Sequence, residues 1–173
     1  MDTFSILVFN AGNHSLKFSL LDGYSADPLK SVIKGCISDI GGNSSFNWTY
    51  GSIHSSISIE ISTHEEAAEW VLDWLQNLWP FGSLLTDVNL VAHRFVDSGK
   101  LFRDPLIVTD KVMSRLESLT RFATLHNSKV IAVLQISQKK FARKALTVAT
   151  FDTAISHAVQ IHDTNLEHSD YKG

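Results

Sequence analysis

The spacing of apolar and polar positions divides the chain into strands first and helices after. Residues 4–9 (Phe-Ser-Ile-Leu-Val-Phe) form an apolar run, which predicts a strand buried on both faces. Residues 15–21 alternate, with Leu16, Phe18 and Leu20 pointing one way and Ser15, Lys17 and Ser19 the other. The two segments predict a hairpin. Its turn is Asn10-Ala11-Gly12-Asn13-His14, where Gly12 can take a positive φ and Asn13 tolerates one. A third strand is expected near 31–37, then a turn at Gly41-Gly42-Asn43, then strands over 46–50 and 53–61. Thr63–Trp79 predicts a helix: Thr63 and Glu66 form a capping box, Ala68, Val71, Leu72, Leu75, Leu78 and Trp79 recur at helical spacing, and Pro80 ends it. Residues 89–96 read as a strand. Asp110 can cap a helix over 111–120, with Val112, Leu116 and Leu119 on one face, and a further helix is expected over 128–141. Residues 145–151 form a buried strand that ends at Asp152. The apolar pattern fades after about residue 158, so the reading is one domain over 1–158 and a poorly ordered polar tail over 159–173.

Strands first and strand–helix–strand alternation later predict an α/β fold, a mixed β-sheet flanked by helices. Ligands of open α/β sheets sit at the carboxyl ends of strands. Three places follow: the 10–17 turn, the end of 89–96, and Asp152.

Composition narrows the class. A chain of 173 residues suffices for one core, and 44% hydrophobic with 19% charged residues describes a globular protein. A net charge of −3 leaves no basic surplus for nucleic acid. No apolar run approaches the ~20 residues of a membrane helix. Met1-Asp2-Thr3-Phe4 places an acid where a signal peptide needs a base, and Cys36 is the only cysteine, so a reducing cytoplasmic setting is expected. The sequons at Asn43 and Asn47 are then without meaning.

Four features have residue types suited to chemistry. In the 10–17 turn, backbone amides together with Asn13, Ser15 and Lys17 could cradle phosphate, although GxxxxGK[ST] is absent and an ordinary hairpin with an exposed lysine would look the same. Arg94 lies inside an apolar strand on the same face as Val96; a guanidinium fork beside an apolar side chain makes a pocket for a small acid, or else Arg94 is paired or in solvent at a sheet edge. His126-Asn127, read as a loop between two helices, could donate to a charged oxygen or simply cap. Asp152, closing Phe151-Asp152-Thr153-Ala154, could hold Mg²⁺, orient an acceptor, or cap a short helix. His157, His162 and His168 match no zinc spacing. Trp70, Trp74 and Trp79 read as packing rather than a base-stacking platform.

The order of these motifs carries a resemblance. Asn10-Ala11-Gly12-Asn13-His14-Ser15-Leu16-Lys17-Phe18, His93-Arg94-Phe95-Val96, Leu125-His126-Asn127 and Phe151-Asp152-Thr153-Ala154 resemble the front half of acetate kinases, over residues 4–156. The resemblance implies a ribonuclease H-like domain of the acetate and sugar kinase/actin fold, and reversible phosphoryl transfer from ATP to acetate with Mg²⁺. It implies that Asn10 and Asp152 serve the metal and that Lys17, with Gly12, Asn13 and Ser15, meets the ATP phosphates. Arg94 would hold the acetate carboxylate, Val96 and Leu125 would line its pocket, His126 would stabilise the transferring phosphoryl, and Asp152 would be the catalytic carboxylate. Departures accompany it. The family's Gly-Ser-Ser-Ser turn is Gly12-Asn13-His14-Ser15 here, and its Val-Val-His-Gly-Gly-Glu after the arginine is Phe95-Val96-Asp97-Ser98-Gly99-Lys100. Prolines around the His-Asn loop are replaced by Arg121, Thr124 and Ser128, and the family's later histidine is displaced to His157. The family's second half, with most of the adenosine pocket and the dimer contacts, has no counterpart. The expectation is a kinase half-site that needs a complementing C-terminal half, or an inactive remnant that binds phosphate or carboxylate weakly.

Overall fold

The computed structural model describes residues 3–24, 28–78, 85–96, 102, 104–120, 125–142 and 144–152. Their strands are β1 (Thr3–Ala11), β2 (Ser15–Tyr24), β3 (Lys30–Ser38), β4 (Ser45–Tyr50), β5 (Ile53–Ser58), β6 (Leu90–Phe95), β7 (Leu106–Ile107) and β8 (Leu146–Phe151). The helices are α1 (His64–Asn77), α2 (Asp110–Thr120) and α3 (Leu125–Phe141). The strands form one sheet in the order β5-β4-β3-β2-β1-β6-β8-β7. The first five strands make an antiparallel meander. β1, β6 and β8 run parallel, so their carboxyl ends meet at one edge. β7, too short to leave a signal in the sequence, adds antiparallel to β8.

Side chains alternate along the strands, and among the described residues one face of the sheet is sealed. Leu7, Phe9, Leu16, Phe18, Leu20, Val91, Phe95, Ala149 and Phe151 are buried there. α1 packs on this face through Trp74, whose ring meets Phe18 and Phe46 edge-on at 6.2 and 4.8 Å. α3 packs beside it, where Ser137 bonds His93. The expectation that residues 4–9 are buried on both sides is therefore corrected: Ile6 and Val8 are only half-buried and Phe4 is exposed, because the helices that pack on the sheet occupy the opposite face. Trp70 and Trp74 are packing residues around Phe46, as expected, and Trp79 lies outside the described residues. Gly35 lets the Phe18 ring lie directly over the backbone; a Cβ there would sit 2.6 Å from it.

Local signals set most boundaries. The Thr63 hydroxyl accepts from the Glu66 amide at 3.1 Å, while Glu66 reaches back to the Ser62 amide at 2.8 Å. α1 stops at Asn77 with Leu78 extended, before the proline expected to end it. The cap of α2 is Thr109, whose hydroxyl accepts from Val112, and not Asp110, which is the first helical residue. α3 begins at Leu125, three residues earlier than expected, so His126 and Asn127 sit in its first turn and not in a loop.

Candidate functional site

At the edge where the parallel strands end, four polar residues line up on or just past four adjacent strands. The antiparallel register sets Lys17 of β2 directly opposite Asn10 of β1. The parallel register of β1 and β6 ends at Phe9↔His93, and the next residues of the two strands are Asn10 and Arg94. Arg94 Nη1 donates to Asn10 Oδ1 at 3.2 Å. Asp152, the first residue after β8, receives the rest of the guanidinium: Nε donates to Oδ1 at 2.8 Å and Nη2 to Oδ2. The fork is bidentate, the geometry arginine uses for carboxylates. Arg94 and Asp152 are 43% and 31% exposed, so the pair is open to solvent and to exchange with a ligand. The strand alternation explains why Arg94 is not buried: its neighbours His93 and Phe95 take the sealed face.

The turn that joins β1 to β2 comprises residues 12–14. It closes with the Gly12 amide donating to the Ser15 carbonyl at 2.7 Å. Gly12 does not use the left-handed conformation open to it. Its lack of a Cβ matters for another reason: the Ser15 hydroxyl would lie 2.7 Å from one. Asn13 and His14 are exposed at the tip and Ser15 is half-buried. Three anchors hold the turn. His64 Nε2 donates to the Gly12 carbonyl at 2.8 Å, Lys129 Nζ donates to the Asn13 carbonyl, and the Ile40 amide donates to the His14 carbonyl at 3.0 Å. Burial is the main cause that keeps the His64 pKa below its ordinary value, with the nearby Lys129 ammonium adding to it. Sequence reasoning passed over His64 and Lys129; the one available signal was a histidine at the head of the buried stripe of α1.

Behind the edge, the uncovered sheet face curves into a hollow of about 700 Å³ whose lining includes Asn10, Lys17, Lys34, Cys36, Asn47 and His54. Val96 lies just past the end of β6 and is exposed. Asn127 is buried in the first turn of α3. The side chains of Leu125 and His126 lie outside the described residues, so only their backbone position at the head of α3 is given. The structure thus brings together Asn10, Lys17, Arg94 and Asp152. No group of three or more His, Cys, Asp or Glu suited to a metal occurs among the described residues, and none of their helices is long and apolar enough to cross a membrane.

Comparison with known proteins completes the picture. The model of the Acetokinase family matches residues 5–167. Acetate kinase of Enterococcus faecalis is 32% identical over 165 residues, which cover 94% of this chain and 39% of that protein. Acetate kinase of Desulfitobacterium hafniense is 34% identical over 161 residues, 91% of this chain and 39% of the relative. Among solved structures, acetate kinase of Porphyromonas gingivalis aligns with a TM-score of 0.74 at 24% identity, covering 87% of this chain and 38% of that one. A propionate kinase of Francisella tularensis aligns with a TM-score of 0.73 at 24% identity, covering 87% and 37%. These likenesses show that the mixed sheet with its helices is a fold shared with part of the acetate and propionate kinases. The chain spans about 39% of the curated relatives it matches. With the family model covering nearly all of its residues, the chain belongs to the acetokinase family.

Proposed function

We propose that this chain carries the front part of an acetate kinase-type site, for phosphoryl transfer between ATP and acetate to give acetyl phosphate and ADP. The observation that carries the reading is the row Lys17–Asn10–Arg94–Asp152, three residues from adjacent strands and one just past the end of the fourth. In phosphoryl transfer a protein mainly positions and neutralises charge. Here a carboxylate oxygen of acetate attacks the γ-phosphorus while its bond to ADP breaks. Arg94 suits the carboxylate, since its fork already grips one, that of Asp152; substrate takes that place as Asp152 turns away. Val96, exposed beside it, suits the methyl group. Lys17 and the 12–15 turn suit the phosphates, and His126, at the head of α3, suits charge on the transferring group. The oxygen donors Asn10 and Asp152 fit a hard cation that keeps most of its water, as Mg²⁺ does. When bound it would neutralise phosphate charge. Asp152 would also orient the attacking acid.

The groups named all come from this one domain, and the chain matches about 39% of its relatives. Our reading is therefore that residues 1–173 alone bind the small anions and turn over only with a complementing C-terminal half. A cytoplasmic setting and a requirement for MgATP belong to the same proposal. The test is acetyl phosphate formation by the purified chain with MgATP and acetate, beside an Asp152→Asn control. Activity above that control would overturn the half-site reading. Absence of acetate and phosphate binding, in a chain shown to be folded by circular dichroism, would overturn the site assignment.

A further inference from the structure

We propose that His64 and Lys129 are positioning residues: from two different helices they pin the carbonyls of the 12–14 turn, and so aim its amides at an anion. Three consecutive carbonyls, those of Gly12, Asn13 and His14, are each tied to a different part of the scaffold, by His64 of α1, Lys129 of α3 and the amide of Ile40. Neither helix is near in sequence; the bonds span 52 and 116 residues. In a trans peptide the C=O and the following N–H point in opposite directions. Pinning the Gly12 and Asn13 carbonyls on their anchors therefore turns the Asn13 and His14 amides away from them. Consecutive amides turned outward, with their carbonyls withdrawn, form an anion-binding concavity. A turn held only by its own Gly12–Ser15 bond would leave those carbonyls free to swing round and repel a phosphate. Because a carbonyl only accepts, His64 must carry its proton on Nε2, and the neutral ring suffices. Lys129 also places an ammonium behind the turn, next to the dipoles it orients. The anion named here rests on the phosphate reading above; the pinning does not.

The experiment is residue-resolved amide hydrogen exchange on the whole 173-residue chain, paired with calorimetric titration of inorganic phosphate. The Gly12 and Ile40 amides report the turn, because each donates into it. Lys129→Met and His64→Ala should each speed exchange at these two amides by about tenfold, the scale of losing one hydrogen bond, with β6 amides unchanged. His64→Gln, which can still donate, should restore most of the protection. Phosphate affinity should fall about fivefold or more in Lys129→Met and also in His64→Ala, where no charge is removed. Wild-type exchange at Gly12 and Ile40 in both variants would overturn the proposal, as would a loosened turn with phosphate affinity intact. A wild-type chain that binds no phosphate would instead count against the phosphate reading, and exchange would still decide the pinning. Should His64→Ala fail to fold, Lys129→Met makes the same decision.

Discussion

The two faces of the sheet are written in the same strands by the same two-residue alternation, yet they differ in almost everything else. On one face Leu7, Phe9, Val91, Phe95, Ala149 and Phe151 are buried, with α1 and α3 packed on the sheet and Phe102 stacked on Phe151. On the other, one residue along, Phe4 is 42%, Leu146 54% and Ile107 55% exposed, and toward β3–β5 the same face turns polar with Lys17, Lys34, Asn47 and His54. Stability is concentrated on the covered face. Arg94 and Lys17 project on the uncovered one, where strand ends leave side chains room to meet a ligand. The difference teaches that residues inside an apolar strand need not be core: in Val91-Ala92-His93-Arg94-Phe95 the histidine is buried and the arginine beside it is not.

The sharpest way to break the comparison is to cut into each face and weigh the losses. Phe9 is fully buried and stacks on His93 at 5.7 Å between ring centroids. Phe9→Ala should cost about 3–5 kcal/mol, the usual range for a large buried aromatic, and denaturant unfolding would read it. A loss under about 1 kcal/mol would mean that the covered face is not the core.

His93 provides a pH test of the same face. Ser137 spends its hydroxyl proton on the Leu134 carbonyl at 2.9 Å, so at 2.8 Å it must accept from His93 Nε2–H. Nδ1 is then buried with no partner, and burial holds the pKa at about 3, against 6.5 for a free imidazole. The sign follows: between those values the unfolded chain binds a proton that the folded chain refuses. Stability should therefore be unaffected above about pH 6.5, fall as the pH drops toward 3, and level off below that. His93→Gln should flatten the decline in chemical denaturation measured from pH 7 to 4. An equal slope in the variant would show that other groups cause it.

Much of this was legible in the sequence, and the failures have a common physical cause. Alternation and capping gave the first five strands, α1 and the hairpin that pairs Lys17 with Asn10, because those signals are local. The strand-end rule for α/β sheets picked out the positions of Arg94 and Asp152, although 58 residues separate them. What no local pattern carries is which face receives the helices, so residues 4–9 were expected to be buried on both sides. The same limit hid His64 and Lys129, whose partners lie far away in sequence, and the two-residue β7. His126-Asn127 falls between the helices expected over 111–120 and 128–141, yet the second helix takes in both residues.

A third test moves to the site edge. Arg94→Ala removes the fork but disturbs little packing, since the ion pair is well exposed and such pairs contribute about 0–1 kcal/mol. Acetate affinity should fall at least about tenfold, the scale of a lost charge-assisted hydrogen bond, while the melting temperature hardly moves. Retained acetate binding in calorimetry would remove Arg94 from the proposed pocket. Lost binding together with a large loss of stability would make the residue structural and place it with the covered face instead.

The smallest expected effect is the most demanding of the contrast. Leu146 has the same apolar character as the core leucines and sits in β8 beside Ala149 and Phe151, but it is more exposed than not. Leu146→Thr keeps a residue suited to strands and removes apolar surface that already faces water. Its effect on stability should stay within about 0.5 kcal/mol, as for other surface substitutions. Apolar patches of this kind favour association, so the variant should also shift light scattering at high concentration toward the monomer. A loss comparable to that of Phe9→Ala would show that this face is covered in solution after all, and the two faces would then differ in what covers them and not in whether they are covered.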